Sequence, residues 1–178
     1  MQAVNLNLEK IKNSIRTIPN FPKEGILFRD ITTALLDKDV LKLTVDELYN
    51  AFKDDKIDYI AGIGSRGFIY GMPLAYKLNC GFVPIRKPNK LPGEVISQEY
   101  ELEYGKDKIQ IHKDALKPND RVLIIDDLLA TGGTARAAID LIKKVANPVG
   151  IGFVIELNEL KGRKKLGDDI KLVSLVKY

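Results

Sequence analysis

At the start of the chain, apolar residues fall at Val4, Leu8, Ile11, Ile15 and Ile18. These alternating steps of four and three predict a helix with one apolar stripe, ending before Pro19. Leu41, Val45, Leu48 and Phe52 repeat the spacing and predict a second helix behind the cap candidates Asp37 and Asp39. The pattern then changes to short apolar runs over Ile57 to Ile63, Gly81 to Ile85, Arg121 to Ile125, Val149 to Leu157 and Leu172 to Val176. Each is too short for a helix and is bounded by Gly, Pro or Asp, so each reads as a buried strand. Helical stretches over Gly67 to Leu78 and Thr134 to Val145 lie between them. Alternating strand and helix predicts an α/β fold with a parallel sheet covered on both faces. Between Arg86 and Asp114, VISQEYELEY and KIQIH alternate apolar and polar residues around Tyr104-Gly105-Lys106-Asp107. That period predicts a half-exposed antiparallel ribbon, an arm or flap. With no internal repeat, low-complexity tract or linker, residues 1–178 read as one domain.

Composition narrows the chemistry. A chain of 178 residues, 45% hydrophobic and 29% charged, is long enough to bury about 70% of its unfolded surface in one globular core. The net charge of +4 favours phosphorylated partners without specifying them. No apolar run approaches the ~18 residues of a membrane span, and the N-terminal residues lack the continuous apolar stretch of a signal peptide. The expectation is a soluble, intracellular protein. The one cysteine, Cys80, excludes an internal disulfide, and with the one histidine, His112, it excludes a multi-cysteine zinc site and a histidine cluster. Any metal must be held through oxygen.

The most informative segment runs Val122-Leu123-Ile124-Ile125-Asp126-Asp127-Leu128-Leu129-Ala130-Thr131-Gly132-Gly133-Thr134 and leads into a helical pattern. Its apolar residues predict a strand, with the acidic pair where the strand emerges, the end at which open α/β sheets bind ligands. Thr131 to Thr134 then enter a helix N-terminus, whose free N–H groups and positive dipole end favour a phosphate. The Gly-Lys-[Ser/Thr] ending of a Walker loop is missing, and GxGxxG does not match. Two carboxylates beside a monophosphate cradle suit a sugar phosphate, the carboxylates accepting from vicinal ribose hydroxyls. The plainer alternative is an ordinary strand-to-helix turn with an acidic cap.

That segment resembles the 5-phosphoribosyl pyrophosphate (PRPP) signature of the type I phosphoribosyltransferases, and in the form DDLLATGGT it resembles the branch of that family that takes adenine. Phe21-Pro22 with Gly25, Phe28-Arg29-Asp30-Ile31, Ser65-Arg66-Gly67-Phe68, Arg86-Lys87 with Lys90-Leu91-Pro92-Gly93, Leu102-Glu103-Tyr104-Gly105 and Leu160-Lys161-Gly162-Arg163 appear in the family's order and spacing. The likeness extends from about Ile15 to Tyr178. It departs at Gly64, where relatives often carry an acidic residue. The resemblance implies a mostly parallel central sheet flanked by helices, an antiparallel hood, and a flexible lid over about 88–106. It also implies transfer of a phosphoribosyl group from PRPP to adenine, giving AMP and pyrophosphate, with Mg²⁺ carried mainly by PRPP and water.

Residue roles follow from the same resemblance. Asp126 and Asp127 would hold the ribose hydroxyls near the developing cation, and Ala130, Thr131, Gly132, Gly133 and Thr134 would anchor the 5′-phosphate. Ser65 and Arg66 would form the pyrophosphate loop, with a cis bond between Gly64 and Ser65, and Arg86, Lys87 and Lys90 would add positive charge. Phe28 and Leu128 would sandwich adenine, read by main-chain groups around Leu27 and Arg29; stacking on an aromatic ring is worth roughly 1–3 kcal/mol and says little about which base. Glu103 would be the general acid/base, brought in by the lid. Each has a plain alternative as core, exposed strand face or solvated basic edge. His112 and the basic run from Lys161 to Lys165 read as surface and receive no role. A cytoplasmic homodimer is implied, with Arg86 near the neighbouring subunit's site, and no nucleic acid or membrane partner. Two alternatives are a phosphoribosyltransferase for a 6-oxopurine, since the PRPP loop does not read the base, and a PRPP-binding transcription regulator. The regulator would need a DNA-reading module for which the residues before Phe21 are too few.

Overall fold

The computed structural model describes residues 5–102 and 105–178; Val4, Glu103 and Tyr104 lie outside them. Asn5 caps the first helix, α1 (Leu6–Ser14), by accepting from the Asn7 amide at 3.0 Å. The helix is shorter than the apolar spacing predicts. Ile11 and Ile15 are buried as expected, but Ile15 is already extended, and Arg16–Pro19 forms β1, antiparallel to β2 (Leu27–Asp30). Ile18 therefore satisfies its apolar position on a strand, not on the helix stripe. The short α2 (Thr32–Leu36) leads to α3 (Lys38–Phe52). There Asp37 is the N-cap, accepting from the Asp39 and Val40 amides, while Asp39 sits in the first turn.

The remaining elements are β3 (Tyr59–Ile63), α4 (Arg66–Leu78), β4 (Gly81–Ile85), β5 (Val95–Glu101), β6 (Lys106–His112), β7 (Arg121–Leu129), α5 (Gly133–Lys143), β8 (Asn147–Glu156) and β9 (Lys171–Lys177). Five of them make a parallel sheet in the order β4-β3-β7-β8-β9. The central strand shows why its sequence reads as one apolar run. Val122 and Ile124 pack into the core on the α5 side, and Leu123 and Ile125 into the core formed with α1, α3 and α4. All four are completely buried, each burial favouring folding by about 1.5–3 kcal/mol. The strand also continues past Ile125 to Leu129, so the acidic pair lies within β7 instead of just beyond it. Pairing with β8 as far as Leu129–Glu156 holds that extension.

The predicted ribbon is present as β5 paired antiparallel with β6, from Val95–His112 to Glu101–Lys106. Only part of it is exposed. Ile109 and Ile111 of β6 belong to the core, and Arg86 and Gln110 exchange main-chain hydrogen bonds of 2.9 and 2.8 Å just past β4. The ribbon is thus rooted in the fold through β6, with β5 as its more exposed strand.

Candidate active site

The strand order places the site. From β3 the chain crosses through α4 to β4 on one side, and from β7 it crosses through α5 to β8 on the other. The carboxyl ends of the neighbouring strands β3 and β7 are therefore a topological switch point, where such sheets open a crevice. Three adjoining pockets lie there, and Arg66 and Asp127 line all of them.

The first, about 310 Å³, lies over the loop after β3 and is lined by Gly64, Ser65, Arg66, Arg86 and Lys87, with Asp126 and Asp127 opposite. The bond between Gly64 and Ser65 is cis. A Cβ on Gly64 would come within 2.6 Å of the Phe68 ring and 2.9 Å of Arg86 Cδ. The missing acidic side chain at this position is thus space taken by Phe68 and Arg86, whose guanidinium lies 5.4 Å from the Phe68 ring centroid. Lys87 is held by the ribbon: it hydrogen-bonds to the Tyr100 hydroxyl at 3.1 Å and pairs with Asp107. Lys90 is exposed beyond β4 and lines none of the three pockets.

The second pocket, about 390 Å³, is mostly apolar and lies between Phe28 and Leu128, with Ile18, Phe21 and Ile31 completing its wall. Phe21 meets Phe28 edge to face at 5.1 Å between centroids. Leu27 is more than half exposed and does not line it, whereas Arg29 does. The Arg29 guanidinium is held on the Thr17 hydroxyl and 3.9 Å from the Tyr178 ring centroid. Beneath it the buried Asp30 accepts from the Thr32 hydroxyl (2.7 Å) and amide (2.9 Å) and pairs with Arg16. Those hydrogen bonds, the Thr32 hydroxyl first, pull its pKa down to about 2.

The third pocket, about 190 Å³, lies over Ala130 to Thr134 at the start of α5. Gly132 takes a left-handed conformation (φ 81°) as the N-cap residue, with no side-chain cap. The first amides of α5 therefore have no side-chain cap acceptor, the arrangement that binds anions. Between the pockets, Arg66 donates from Nε to Asp127 Oδ2 at 2.6 Å, and the Asp127 amide donates to Asp126 Oδ1 at 2.8 Å. Burial pushes the Asp126 carboxyl well above the usual carboxylate range, the Asp127 charge adds to the rise, and Arg66 opposes it. The acidic pair thus has one nearby guanidinium, held by Asp127, in a partly dehydrated crevice, so an arriving positive charge is favoured and would draw Asp126 towards its charged form.

Ser65, Arg66, Arg86, Lys87, Phe28, Arg29, Leu128, Asp126, Asp127 and 130–134 are all brought to this crevice. Lys90 and Leu27 are not, and Glu103 lies outside the described residues. Ile18, Phe21 and Tyr100 also line the crevice, and no site role was expected of them. Phe21-Pro22 was nevertheless visible as part of the resemblance, a signal that could have found Phe21.

Crevice and sheet together define a phosphoribosyltransferase, and the chain belongs to the family of the phosphoribosyl transferase domain, whose model matches residues 32–176. Within it the chain is a member of the adenine phosphoribosyltransferases. It is 58% identical over 170 residues to the adenine phosphoribosyltransferase of Trichodesmium erythraeum, covering 95% of this chain and 99% of that one. The crystal structure of the enzyme from Thermoanaerobacter pseudethanolicus superposes with a TM-score of 0.92 at 50% identity, covering 96% of this chain and 99% of the other. The Saccharomyces cerevisiae enzyme, complexed with adenine and an imino-altritol bisphosphate, gives a TM-score of 0.90 at 42% identity over 97% of this chain and 100% of that one.

Proposed function

We infer that this protein serves purine salvage by moving the 5-phosphoribosyl group of PRPP to adenine. The C–O bond to pyrophosphate breaks with its electron pair leaving on pyrophosphate. A ring nitrogen of adenine supplies the pair for the new C–N bond and gives up a proton. The observation that carries this reading is the convergence of an anion-binding loop, an aromatic-walled pocket and a basic pocket on the Arg66–Asp127 pair. In this assignment the 130–134 loop anchors the 5′-phosphate, Asp126 and Asp127 take the ribose hydroxyls, and Phe28 and Leu128 flank the base. Charge developing on the ribose faces the carboxylate pair, while Ser65, Arg66, Arg86 and Lys87 stabilise the departing pyrophosphate. Preorganised charge of this kind is the largest single contributor in many enzymes, with about 3 kcal/mol lost per donor removed.

The donor chemistry suits Mg²⁺. Oxygen ligands are present in Asp126 and Asp127, and among the described residues no group of three or more His, Cys, Asp or Glu side chains is placed to hold a metal. Mg²⁺ prefers oxygen and keeps several waters, so PRPP and water would hold most of its coordination sphere, and when bound it would neutralise the pyrophosphate charge. Glu103 as acid/base, the 88–106 segment as a lid, a cytoplasmic location and a homodimer with Arg86 near the partner site belong to the same proposal. They are supported by the resemblance. Among the described residues no helix is long and apolar enough to cross a membrane.

The test is a panel of bases with PRPP and Mg²⁺. Adenine is expected to yield AMP and pyrophosphate, with hypoxanthine and xanthine inert at the same enzyme concentration. Equal turnover of hypoxanthine would replace this reading with a 6-oxopurine enzyme, and salt-dependent DNA binding with no turnover would replace it with a regulator.

A further inference from the structure

The segment Leu160-Lys161-Gly162-Arg163 lies outside the three pockets, and its basic run gave no reason to assign it a role. Its geometry does. Gly162 is buried directly behind the loop that follows β7. A Cβ built on it would sit 2.1 Å from the Ala130 carbonyl oxygen and 2.9 Å from the Gly132 nitrogen. The approach is mutual, since a Cβ on Gly132 would meet the Gly162 carbonyl oxygen at 2.5 Å. Two glycines thus stand back to back, one in the phosphate loop and one in a short helical turn (Gly162–Lys165) about thirty positions further on.

That turn is fixed from both ends. Lys161 enters it in a left-handed conformation (φ 52°). Arg163 forks onto the buried Glu156 at the end of β8, with bonds of 3.0 and 2.6 Å. Leu166, completing the turn, is buried, and its carbonyl accepts from Arg136 of α5 at 3.4 Å. A backing anchored to both β8 and α5 leaves the 130–132 backbone no room to retreat.

The structure assigns to Gly162, with its Arg163–Glu156 anchor, the role of positioning residue for the 5′-phosphate loop. By pressing on Ala130 and Gly132 from behind, it sets the direction in which the loop amides point. This rests on the reading that the 130–134 loop holds the 5′-phosphate. Gly162 touches no substrate, so its effect should be specific to ligands that carry the phosphate.

The experiment compares AMP with adenosine, which differ only in that phosphate, by titration calorimetry on the full chain. Relieving a 2.1 Å contact requires the loop to shift by about 1 Å, and misplacement on that scale costs on the order of 10–100-fold. Gly162→Ala is therefore expected to weaken AMP by that factor and to leave adenosine nearly unchanged, a split that general loss of stability would not produce. Should Gly162→Ala fail to fold, Arg163→Lys, which loses the two-point grip on Glu156, is expected to show the same selectivity more weakly. Gly133→Asp puts a negative charge at the first position of α5, where a Cβ has room, its nearest neighbour being the Glu101 carbonyl oxygen at 3.7 Å, and an acidic residue suits the helix start. It repels a phosphate at the loop and is the control for the underlying reading. If Gly133→Asp weakens AMP selectively while folded Gly162→Ala, or Arg163→Lys in its place, weakens AMP and adenosine alike or neither, the positioning role is overturned and the phosphate loop stands. If Gly133→Asp leaves AMP untouched, the phosphate-loop reading itself fails.

Discussion

Replacing Asp126 and Asp127 together by asparagine separates what the pair does for folding from what it does for chemistry. Asp127 is 5% exposed and its only ion-pair partner among the described residues is Arg66, whose side chain is 56% exposed. Solvent screening limits such a pair to about 1 kcal/mol or less. Against that gain stand the burial of Asp126 and its repulsion from Asp127, the causes that raise the Asp126 pKa. The opposing contributions are of similar size, and Asn preserves shape and hydrogen-bonding capacity, so stability should change by no more than about 1 kcal/mol, or about 2–4 °C in Tm. The sign of the pH dependence follows. A carboxyl raised in the folded state contributes stability that is fully present below its unfolded pKa and lost as pH rises through the folded value. The double variant should lose this decline and gain relative to wild type towards neutral pH. Catalysis should move the other way: removing both carboxyl groups beside the developing ribosyl cation is expected to lower kcat/KM for PRPP at least ~100-fold, about 2.7 kcal/mol. Thermal melts across pH and steady-state kinetics measure the two arms. A folded double variant with wild-type kinetics would remove the pair from the mechanism, and a Tm drop of ten degrees or more would make it a structural element.

Three further expectations concern other walls of the crevice. Phe28→Ala removes the aromatic face of the apolar pocket and should raise KM for adenine by about 5- to 100-fold, the range of one stacking contact, with KM for PRPP little changed; equal effects on both would contradict the assignment. Asp30, held low by Thr32 and Arg16, contributes stability that is present above the ordinary carboxylate pKa and lost as pH falls towards 2. Asp30→Asn should flatten that acid limb in a pH series of thermal melts, whereas an unchanged limb would place the loss elsewhere. Gly64→Ala would force Phe68 and Arg86 aside and should raise KM for PRPP about tenfold, by analogy with other small misplacements, with the Phe28 pocket unaffected; unchanged PRPP kinetics would show that the contact is slack.

The strands were legible because the interior strands β3, β7 and β8 are buried on both faces over most of their length and so carry continuous apolar runs, while the edge strand β4, only half-buried, was marked by its short apolar run between Gly81 and Ile85. The phosphate loop was legible for a different reason, since its glycines and acidic pair are contiguous in sequence. The N-terminal helix was overextended because Ile18 continues a helical spacing by coincidence while its strand pairs with β2. Nothing in the four residues Arg16 to Pro19 signals a strand apart from that partner. The tie from Arg66 to Asp127 spans 61 positions and the contact from Gly162 to Ala130 joins separate loops. Such relations depend on which strands lie side by side, and no local pattern carries them. The Lys87–Asp107 pair is hidden in the same way, since it depends on the ribbon folding back over the end of β4.

The most direct test of the site is a crystal structure of the protein with AMP bound. The expected arrangement has the 5′-phosphate on the amides of 130–134, the ribose hydroxyls on Asp126 and Asp127 with Arg66 drawn away from Asp127, and the base between Phe28 and Leu128. A phosphate seated instead on Ser65 and Arg66, or a base outside the Phe28 pocket, would contradict it.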